Sequence, residues 1–385
     1  MATIVVAGAI ANKAHNGGEA WVRLSWLEGL ERLGCRVVFV EQIGAESCVG
    51  PDGSRAPFAQ SVNRSYFAEV MESFGLLDRS ALVCPDTGES AGMTVEELEG
   101  LAAEADLLVN ISGHLRLPEV MARFPRRAYV DLDPGFTQIW HVQGADLGVD
   151  AHDTHFTVGE NIGRPGCDIP TGGFDWHAVP PPVVLDRWPV TDSANPGRFT
   201  TVAGWRGAFG RVEHDGRSYG LKVHEFRKVI DLPQRVPLTF ELALDIHPGD
   251  HKDRAALEAA GWQLVDPRAA SGGPFQFRDY VQGSGAEFSV AQGIYVETRS
   301  GWFSDRTVRY LASGKPALVQ DTGFSDNYPA TEGLVAFTSP EEAAREAQRI
   351  AADHPAHAAA ARALAEERFD SERVLPRFLE QAGVT

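Results

Sequence analysis

The fold is decided by residues 4–41, IVVAGAIANKAHNGGEAWVRLSWLEGLERLGCRVVFVE. The β-branched run at Ile4–Gly8 predicts a buried parallel strand. Apolar residues at three- and four-residue spacings predict a helix over Glu19–Leu33, and Gly34 is a typical stop signal. Arg36–Glu41 then predicts a second strand. One strand–helix–strand unit of this length is typical of a doubly wound α/β domain.

The alternation of strands and helices continues along the chain. Strands are predicted at Asp106–Ile111 and Arg127–Leu132, and Thr94–Glu104 predicts a helix in which Glu97 completes a capping box. A proline run at Pro180–Pro182 excludes a helix or a central strand there. In the second half, we predict strands at Phe199–Ala203, Leu238–Leu244, Pro316–Gln320 and within Glu287–Val296, and helices at Gly220–Val229, Asp253–Ala260, Asp305–Ala312, Pro340–Ala352, Ala356–Glu367 and Phe369–Gln381.

These patterns predict two α/β, Rossmann-like domains that face each other across a cleft at the carboxyl ends of their strands. The chain has 385 residues, which is long for one core and comfortable for two. The predicted division is a first domain at 1–175, a linker at 176–197, a second domain at 198–367 and a terminal helix at 368–385 that returns to the first domain.

Composition excludes several classes of function. The net charge is −18, which argues against a nucleic-acid partner because the chain could not neutralise a run of phosphates. The N-terminus lacks the features of a signal peptide, and no apolar run approaches the ~18 residues of a membrane span. Four scattered cysteines without a CxxC pair indicate free thiols and no metal site. We therefore expect a cytoplasmic protein.

Two loops of the first half contain candidate binding or catalytic residues. Gly17 and Gly18 stand directly before the first helix, where residues without Cβ let a diphosphate approach the helix N–H groups; a plain tight turn is the alternative. His15 on the same loop and Asp133 after a predicted strand are the candidates for the acceptor's proton. The loop has neither GxGxxG nor GK[ST], which disfavours a dehydrogenase and a P-loop enzyme.

The second half carries candidate anion-binding residues. Trp205 and Arg206 follow its first predicted strand, and Arg206 with Lys222 would form a fork and a point charge for a pyrophosphate. A solvated helix face is the alternative for these two cations. A polar segment before and at the start of the helix Asp305–Ala312 predicts a further anion site, with candidates Arg299, Ser300, Gly301, Ser304, Asp305 and Arg306.

Four segments resemble a known family. Residues 15–41 resemble the opening of retaining GT-B glycosyltransferases, whose first helix starts after a Gly-Gly pair. LASGKPALVQDTGF at 311–324 is similar to their donor-domain signature, and FDSERVLPRFLEQ at 369–381 resembles their terminal helix. Arg206 with Lys222 resembles the arginine and lysine that hold the donor diphosphate. The overall likeness is to family-4-like enzymes of actinobacteria, some of which decorate secondary metabolites.

The resemblance implies a GT-B fold and an enzyme that transfers a hexosyl or deoxysugar group to a small-molecule acceptor. The donor would be a UDP-, dTDP- or GDP-sugar, with no metal or cofactor required, and the chain could act as a homodimer. In the family, a glutamate five residues before the signature glycine binds the donor ribose. Here Arg309 stands at that position, so Asp305 or Glu297 would have to replace it.

Three other functions fit the same sequence. A nucleotide-sugar epimerase of this fold would convert the donor without an acceptor. A non-catalytic nucleotide-sugar binding protein would bind the nucleotide without releasing it from the sugar. A nicotinamide-dependent oxidoreductase is disfavoured by the first loop. The stereochemical outcome of transfer is open between retention, which the resemblance implies, and inversion, which a working His15 base would favour.

Overall fold

The structure is a computed structural model that describes residues 1–207 and 209–384. Its first sheet comprises β1 (Thr3–Ala7), β2 (Arg36–Gln42), β3 (Ser80–Cys84), β4 (Glu89–Gly92), β5 (Leu107–Ile111), β6 (Arg127–Asp131), β7 (Thr154–Thr157) and β8 (Trp176–Ala178). The strand order is β4-β3-β2-β1-β5-β6-β7-β8, and only the β3–β4 pair is antiparallel.

Helices cover both faces of the first sheet. They are α1 (Gly17–Arg32), α2 (Val62–Ser73), α3 (Val95–Glu104), α4 (Pro118–Met121) and α5 (Phe136–Val142). Along β1, Ile4 and Val6 pack in one core with α1 and α2, whereas Val5 and Ala7 pack in another with α3 and α4. Because successive side chains of a strand point to opposite faces, a strand segment buried on both faces must be apolar, as Ile4–Ala7 of β1 is.

The second sheet comprises β9 (Arg198–Gly204), β12 (Thr239–Asp245), β13 (Gln263–Val265), β14 (Ala286–Ser289), β15 (Ala317–Gln320) and β16 (Leu334–Phe337). A separate hairpin of β10 (Val212–His214) and β11 (Arg217–Tyr219) follows β9. The order β13-β12-β9-β14-β15-β16, parallel throughout, is the Rossmann order 3-2-1-4-5-6.

The helices of the second half are α6 (Lys222–Lys228), α7 (Leu232–Arg235), α8 (His251–Ala260), α9 (Pro267–Ser271), α10 (Pro274–Gln282), α11 (Gly293–Glu297), α12 (Asp305–Ala312), α13 (Pro340–Ala352), α14 (His354–Arg368) and α15 (Ser371–Gln381). None of the helices in the described ranges is long and apolar enough to span a membrane.

The sheet topology locates the sites where ligands bind in such folds. In an open α/β sheet, ligands bind beyond the carboxyl ends of the strands at the point where the strand order reverses. That point lies between β1 and β5 in the first sheet and between β9 and β14 in the second. The predicted α/β class with two Rossmann-like domains is confirmed.

One predicted strand is wrong in its extent. The strand predicted within Glu287–Val296 was expected to end near Tyr295. In the structure, β14 ends at Ser289 and Tyr295 lies in α11. Gly293 approaches the backbone of Gly220 so closely that a Cβ would lie 2.7 Å from the Gly220 carbonyl oxygen. This tertiary contact overrides the β-propensity of the segment.

The two domains contact each other through the start of α1. A Cβ on Gly17 would lie 2.9 Å from the backbone nitrogen of Pro274, inside van der Waals distance, so glycine permits this approach. Trp21 donates its indole N–H to the carbonyl of Pro274 at 2.7 Å. After β7, the amide of Asn161 donates to the carbonyls of Arg299 and Gly323, both at 3.0 Å.

The linker and the terminal helix also join the domains. β8 pairs with β7, so the first sheet extends to Ala178, inside the segment 176–197 that was predicted as the linker. α15 packs on α1, where Leu375 lies against Gly29. The ring of Phe378 lies 4.8 Å from Trp26 and 4.4 Å from Phe156. The terminal helix therefore crosses back to the first domain.

Candidate functional site

Arg306 occupies the switch point of the second sheet. Its guanidinium donates to the Glu287 carboxylate at 2.7 Å and to the Val202 carbonyl at 2.9 Å, and it also bonds the Ser289 hydroxyl. Burial raises the pKa of Glu287 above its ordinary value, although the adjacent arginine opposes this. These bonds fix the start of α12 between the ends of β9 and β14, where a ligand phosphate would meet it.

Lys222 supplies the second cation of this site. Its backbone N–H donates to the Gln292 side chain at 2.7 Å, which fixes the first residue of α6. Burial, and then the charge of Arg306, lower the pKa of the Lys222 ammonium to about 8. In the described part of the chain, no carboxylate lies within 4.0 Å of this ammonium. Lys222 and Arg306 are called the cation pair below; Arg306 is ion-paired with Glu287, and the binding of an anion by the two cations stays a prediction.

Arg206 pairs with a carboxylate of its own domain. Its guanidinium forms a two-point pair with Asp250, with an Nε–Oδ2 distance of 2.9 Å, and the side chain is 55% exposed. Trp205 is buried and donates its indole N–H to Asp253 at 2.9 Å. The sequence prediction placed Arg206 beside Lys222, whereas the structure places Arg306 there. A contact between Arg206 and a diphosphate stays a prediction, and it would require the Asp250 pair to break.

The segment Arg299–Gly301 contributes to the domain contact. The Ser300 carbonyl accepts from the Asn161 N–H at 3.1 Å. A Cβ on Gly301 would lie 2.8 Å from the same nitrogen. Arg299 pairs with Asp326 at 2.7 Å and is half exposed. In this arrangement the Ser300 and Gly301 backbone lies against the first domain, and their predicted binding of an anion remains untested.

The contacts of α12 show what Arg309 does at the position where the family has a ribose-binding glutamate. Ser304 caps the helix by accepting from the Arg306 N–H at 3.3 Å. Arg309 is fully buried, bonds the Asp305 carboxylate at 2.9 Å and reaches Ser25 on α1 at 3.3 Å. The arginine at the ribose-binding position of the family therefore forms an ion pair within α12 and joins the two domains through its hydrogen bond to Ser25. Asp305, offered as a replacement ligand for the ribose, is engaged in that pair.

Asp133 lies at the carboxyl edge of the first sheet. Its carboxylate accepts a hydrogen bond from Tyr295 of the second domain at 3.1 Å. Burial, and then the charges of Asp131 and Glu19, raise the pKa of Asp133 to about 7. Asp131, by contrast, is held by three side-chain donors, among them Thr157 at 2.7 Å. Asp133 is thus the carboxylate of this pair that can exchange a proton near neutral pH.

His15 lies apart from Asp133. Its backbone has a φ of 62°, and its imidazole lies 5.4 Å from the ring of Tyr66 on α2. The imidazole lines a cavity between α2 and α10, which does not include Asp133. A Cβ on Gly18 would lie 3.4 Å from the ring of Phe277, which is an ordinary contact. The two candidates for the acceptor's proton therefore lie in different environments, and the roles of both are still predictions.

Sequence reasoning missed a charged cluster at the edge of the first sheet. His114 follows β5 after two left-handed residues, Ser112 (φ 55°) and Gly113 (φ 65°). Burial, then the charges of Arg23 and Lys13, lower the pKa of His114 to about 4. Such backbone strain is often found at functional sites. The triplet Ser-Gly-His directly after a predicted strand next to β1 was the signal that could have identified it.

Glu19 and Arg23 belong to the same cluster. The two side chains form an ion pair within α1, and Arg23 is almost fully buried against Gly8. Although burial opposes it, Arg23 lowers the pKa of Glu19, so the pair stays ionised. The cluster therefore sets a neutral imidazole beside ionised groups at the carboxyl edge of the first sheet. No group of metal-binding geometry occurs among the described residues.

No protein-family model and no curated protein sequence matches the chain, but solved structures do. An alpha-glucosyltransferase in complex with UDP has a TM-score of 0.61 and 11% identity, with 100% of both chains covered. AviGT4, a glycosyltransferase involved in avilamycin A biosynthesis, has a TM-score of 0.57 and 16% identity over 100% of this chain and 97% of its own. Anabaena HepE in complex with UDP and glucose has a TM-score of 0.57 and 14% identity over 100% of both chains. The chain therefore has the GT-B fold of these glycosyltransferases.

Proposed function

We propose that the protein transfers a hexosyl or deoxysugar group from a nucleoside-diphosphate sugar to a small-molecule acceptor. The observation that carries this proposal is the cation pair of Lys222 and Arg306 at the switch point of the second sheet. A leaving diphosphate needs positive charge that is already in place when its own charge develops. UDP is bound in two of the similar structures, which supports a nucleotide as part of the donor.

The acceptor would approach from the first domain. Asp133 lies at the edge of the first sheet and already contacts the second domain through Tyr295. With a pKa raised to about 7 by burial, it is suited to accept the proton of a hydroxyl group as that group attacks the sugar. The division of roles is then a donor domain at 198–367 and an acceptor domain at 1–175. A base in this role would fit inversion of the anomeric carbon.

The proposal treats the acceptor as small. One similar structure is an alpha-glucosyltransferase in complex with UDP and a DNA 13-mer, so the fold accommodates a nucleic-acid acceptor in another protein. The net charge of −18 supports a small acceptor for this chain, because a polyanion would be repelled.

Nucleotide binding by a Lys222→Met variant tests the proposal. A ligand at about 100 times its dissociation constant stabilises a protein by about 2.7 kcal/mol, so UDP, dTDP and GDP can be compared by thermal shift. Loss of a charged contact costs about 1.5–3 kcal/mol, which predicts roughly 10- to 100-fold weaker binding of the preferred nucleotide. Lys252→Met on the exposed surface of α8 is the control and should bind normally. Normal binding by Lys222→Met would remove the cation pair from the donor site.

Product analysis separates transfer from the alternative functions. Incubation with the preferred nucleotide sugar and candidate acceptors should release the nucleoside diphosphate and yield a glycosylated acceptor. A nucleotide sugar with a changed sugar, formed without any acceptor, would indicate an epimerase. Tight nucleotide-sugar binding with neither product would indicate a binding protein.

A further inference from the structure

The cavity that His15 lines lies between α2 of the first domain and α10 of the second. It has a volume of about 400 Å³, within the range of about 300–1,000 Å³ that is usual for small-molecule sites. The first domain contributes the loop before α1 and one face of α2, and the second contributes α9 and the start of α10. The polar side chains that line it are His15, Tyr66, Glu69, Ser73, Arg268 and Gln276.

Tyr66 gives the first indication that this cavity binds a ligand. The side chain is only 4% exposed, and its hydroxyl has no hydrogen-bond partner among the described residues. A buried hydroxyl without a partner costs roughly 1–3 kcal/mol, so it calls for an explanation. The imidazole of His15 lies against the same ring at 5.4 Å. A ligand that displaces this imidazole would reach the tyrosine hydroxyl.

The other polar groups determine what kind of ligand would fit. Glu69 only accepts hydrogen bonds, Arg268 only donates them, and Ser73 and Gln276 do both. Within the described ranges, none of these four side chains hydrogen-bonds or pairs with another protein group. Glu69 and Arg268 together carry no net charge, so the cavity gives neither an anion nor a cation a net electrostatic attraction. Neutral hydroxyl groups, each a donor and an acceptor, match the whole set.

One aromatic side chain, Phe275 at the start of α10, lines the cavity. Its ring stacks on Phe74 of the first domain at 5.5 Å, and the guanidinium of Arg278 lies 5.3 Å from its centroid. The ring is 41% exposed, so its free edge offers a ligand an apolar contact beside the hydroxyl-binding groups.

We propose that this cavity binds a neutral sugar ring of the acceptor, which would make the natural acceptor a glycoside or an oligosaccharide. This inference rests on the proposed function, since it specifies the acceptor of the same reaction. The loop that carries His15 into the cavity continues into α1, whose Glu19 lies near Asp133 in the cleft. The inference requires an acceptor long enough to place one sugar in the cavity and a hydroxyl of another at Asp133.

Binding of neutral saccharides to the intact protein tests this inference. A panel of methyl glycosides and of neutral disaccharides is titrated both without nucleotide and with saturating UDP, and binding is followed by saturation-transfer NMR and calorimetry. We expect at least one disaccharide to bind, and Arg268→Ala to weaken its binding at least tenfold. Arg254→Ala, on the exposed face of α8, is the matched control and should leave saccharide binding unchanged. UDP affinity should be the same in all of these proteins.

Tyr66→Phe provides a readout that a purely structural residue would not give. Removing an unpartnered buried hydroxyl should raise the melting temperature of the free protein, while weakening saccharide binding at least tenfold. A lower melting temperature would show that the hydroxyl has a partner in the protein, and it would overturn the inference. So would the absence of saccharide binding, unchanged binding by Arg268→Ala, or a preference for uronic acids. Failure of the protein to bind UDP, dTDP or GDP would overturn the proposed function instead, because saccharide binding is measured separately.

Discussion

The Asp133 carboxyl group makes the protein's stability depend on pH. Its folded-state pKa is raised to about 7 from an ordinary value of 3.8, chiefly by burial. The folded protein therefore holds a proton that the unfolded chain has lost, and stability must fall as the pH rises from about 4 to about 7. Asp133→Asn removes this penalty and should stabilise the protein by roughly 2–4 kcal/mol at pH 8, with little effect at pH 4. Melting temperatures across this pH range measure the difference.

The same substitution should lower turnover. If Asp133 accepts the acceptor's proton, Asp133→Asn should lower kcat by about 10²–10⁴, and the wild-type rate should rise as the pH passes through about 7. Asp78→Asn, at an exposed position, serves as the control for the stability measurement. A variant at Asp133 that is less stable at pH 8, or fully active, would contradict the assignment.

At the level of elements, the start of α1 sets how closely the domains approach. A Cβ on Gly17 would lie 2.9 Å from the backbone nitrogen of Pro274, and neither backbone can move without shifting a helix. We expect Gly17→Ala to destabilise the protein by about 1–3 kcal/mol or more, because the clash involves main-chain atoms. Urea unfolding measures the change. Gly18→Ala is the matched control, since its Cβ would make only an ordinary contact with Phe277; equal effects at both positions would contradict this explanation.

Local patterns predicted elements well where local and tertiary preferences agree. The helix Asp305–Ala312 and the capping box of Thr94 and Glu97 were predicted from sequence and are confirmed. No element was predicted between Glu41 and Thr94, although that segment contains α2 and β3. The strand within Glu287–Val296 was predicted too long, because the approach of Gly293 to Gly220 is a contact that no local pattern encodes.

The candidate site was less predictable than the fold, because side-chain pairing depends on contacts distant in sequence. Lys222 was expected beside Arg206, but the partner of Arg206 is Asp250, more than forty residues away. Arg306 is held between β9 and β14, by the Val202 carbonyl and the Glu287 carboxylate, near enough for its charge to lower the pKa of Lys222. Sequence spacing identified the cations, whereas their surroundings follow from the order of the strands.

For the whole molecule, one apolar core extends over both domains. It runs from β1 and α1 through Trp188 of the linker to Phe277 of α10, Phe303 before α12 and Phe378 of α15. The rings of Trp21 and Trp188 lie 5.0 Å apart at the point where the linker crosses α1. The contact surface between the domains is thus apolar at its centre, so opening and closing must be a small adjustment around this core and not a free separation.

The last element of the chain should therefore control the stability of the first domain. Phe378 of α15 is buried between Trp26 of α1 and Phe156 of β7. Phe378→Ala leaves a cavity there and should cost about 3–5 kcal/mol. Hydrogen exchange should then speed up in α1 and β7 while β12, inside the second sheet, stays protected. Arg377→Ala on the exposed face of α15 should change neither. If hydrogen exchange became faster to the same degree in both sheets, the two domains would instead unfold as one unit.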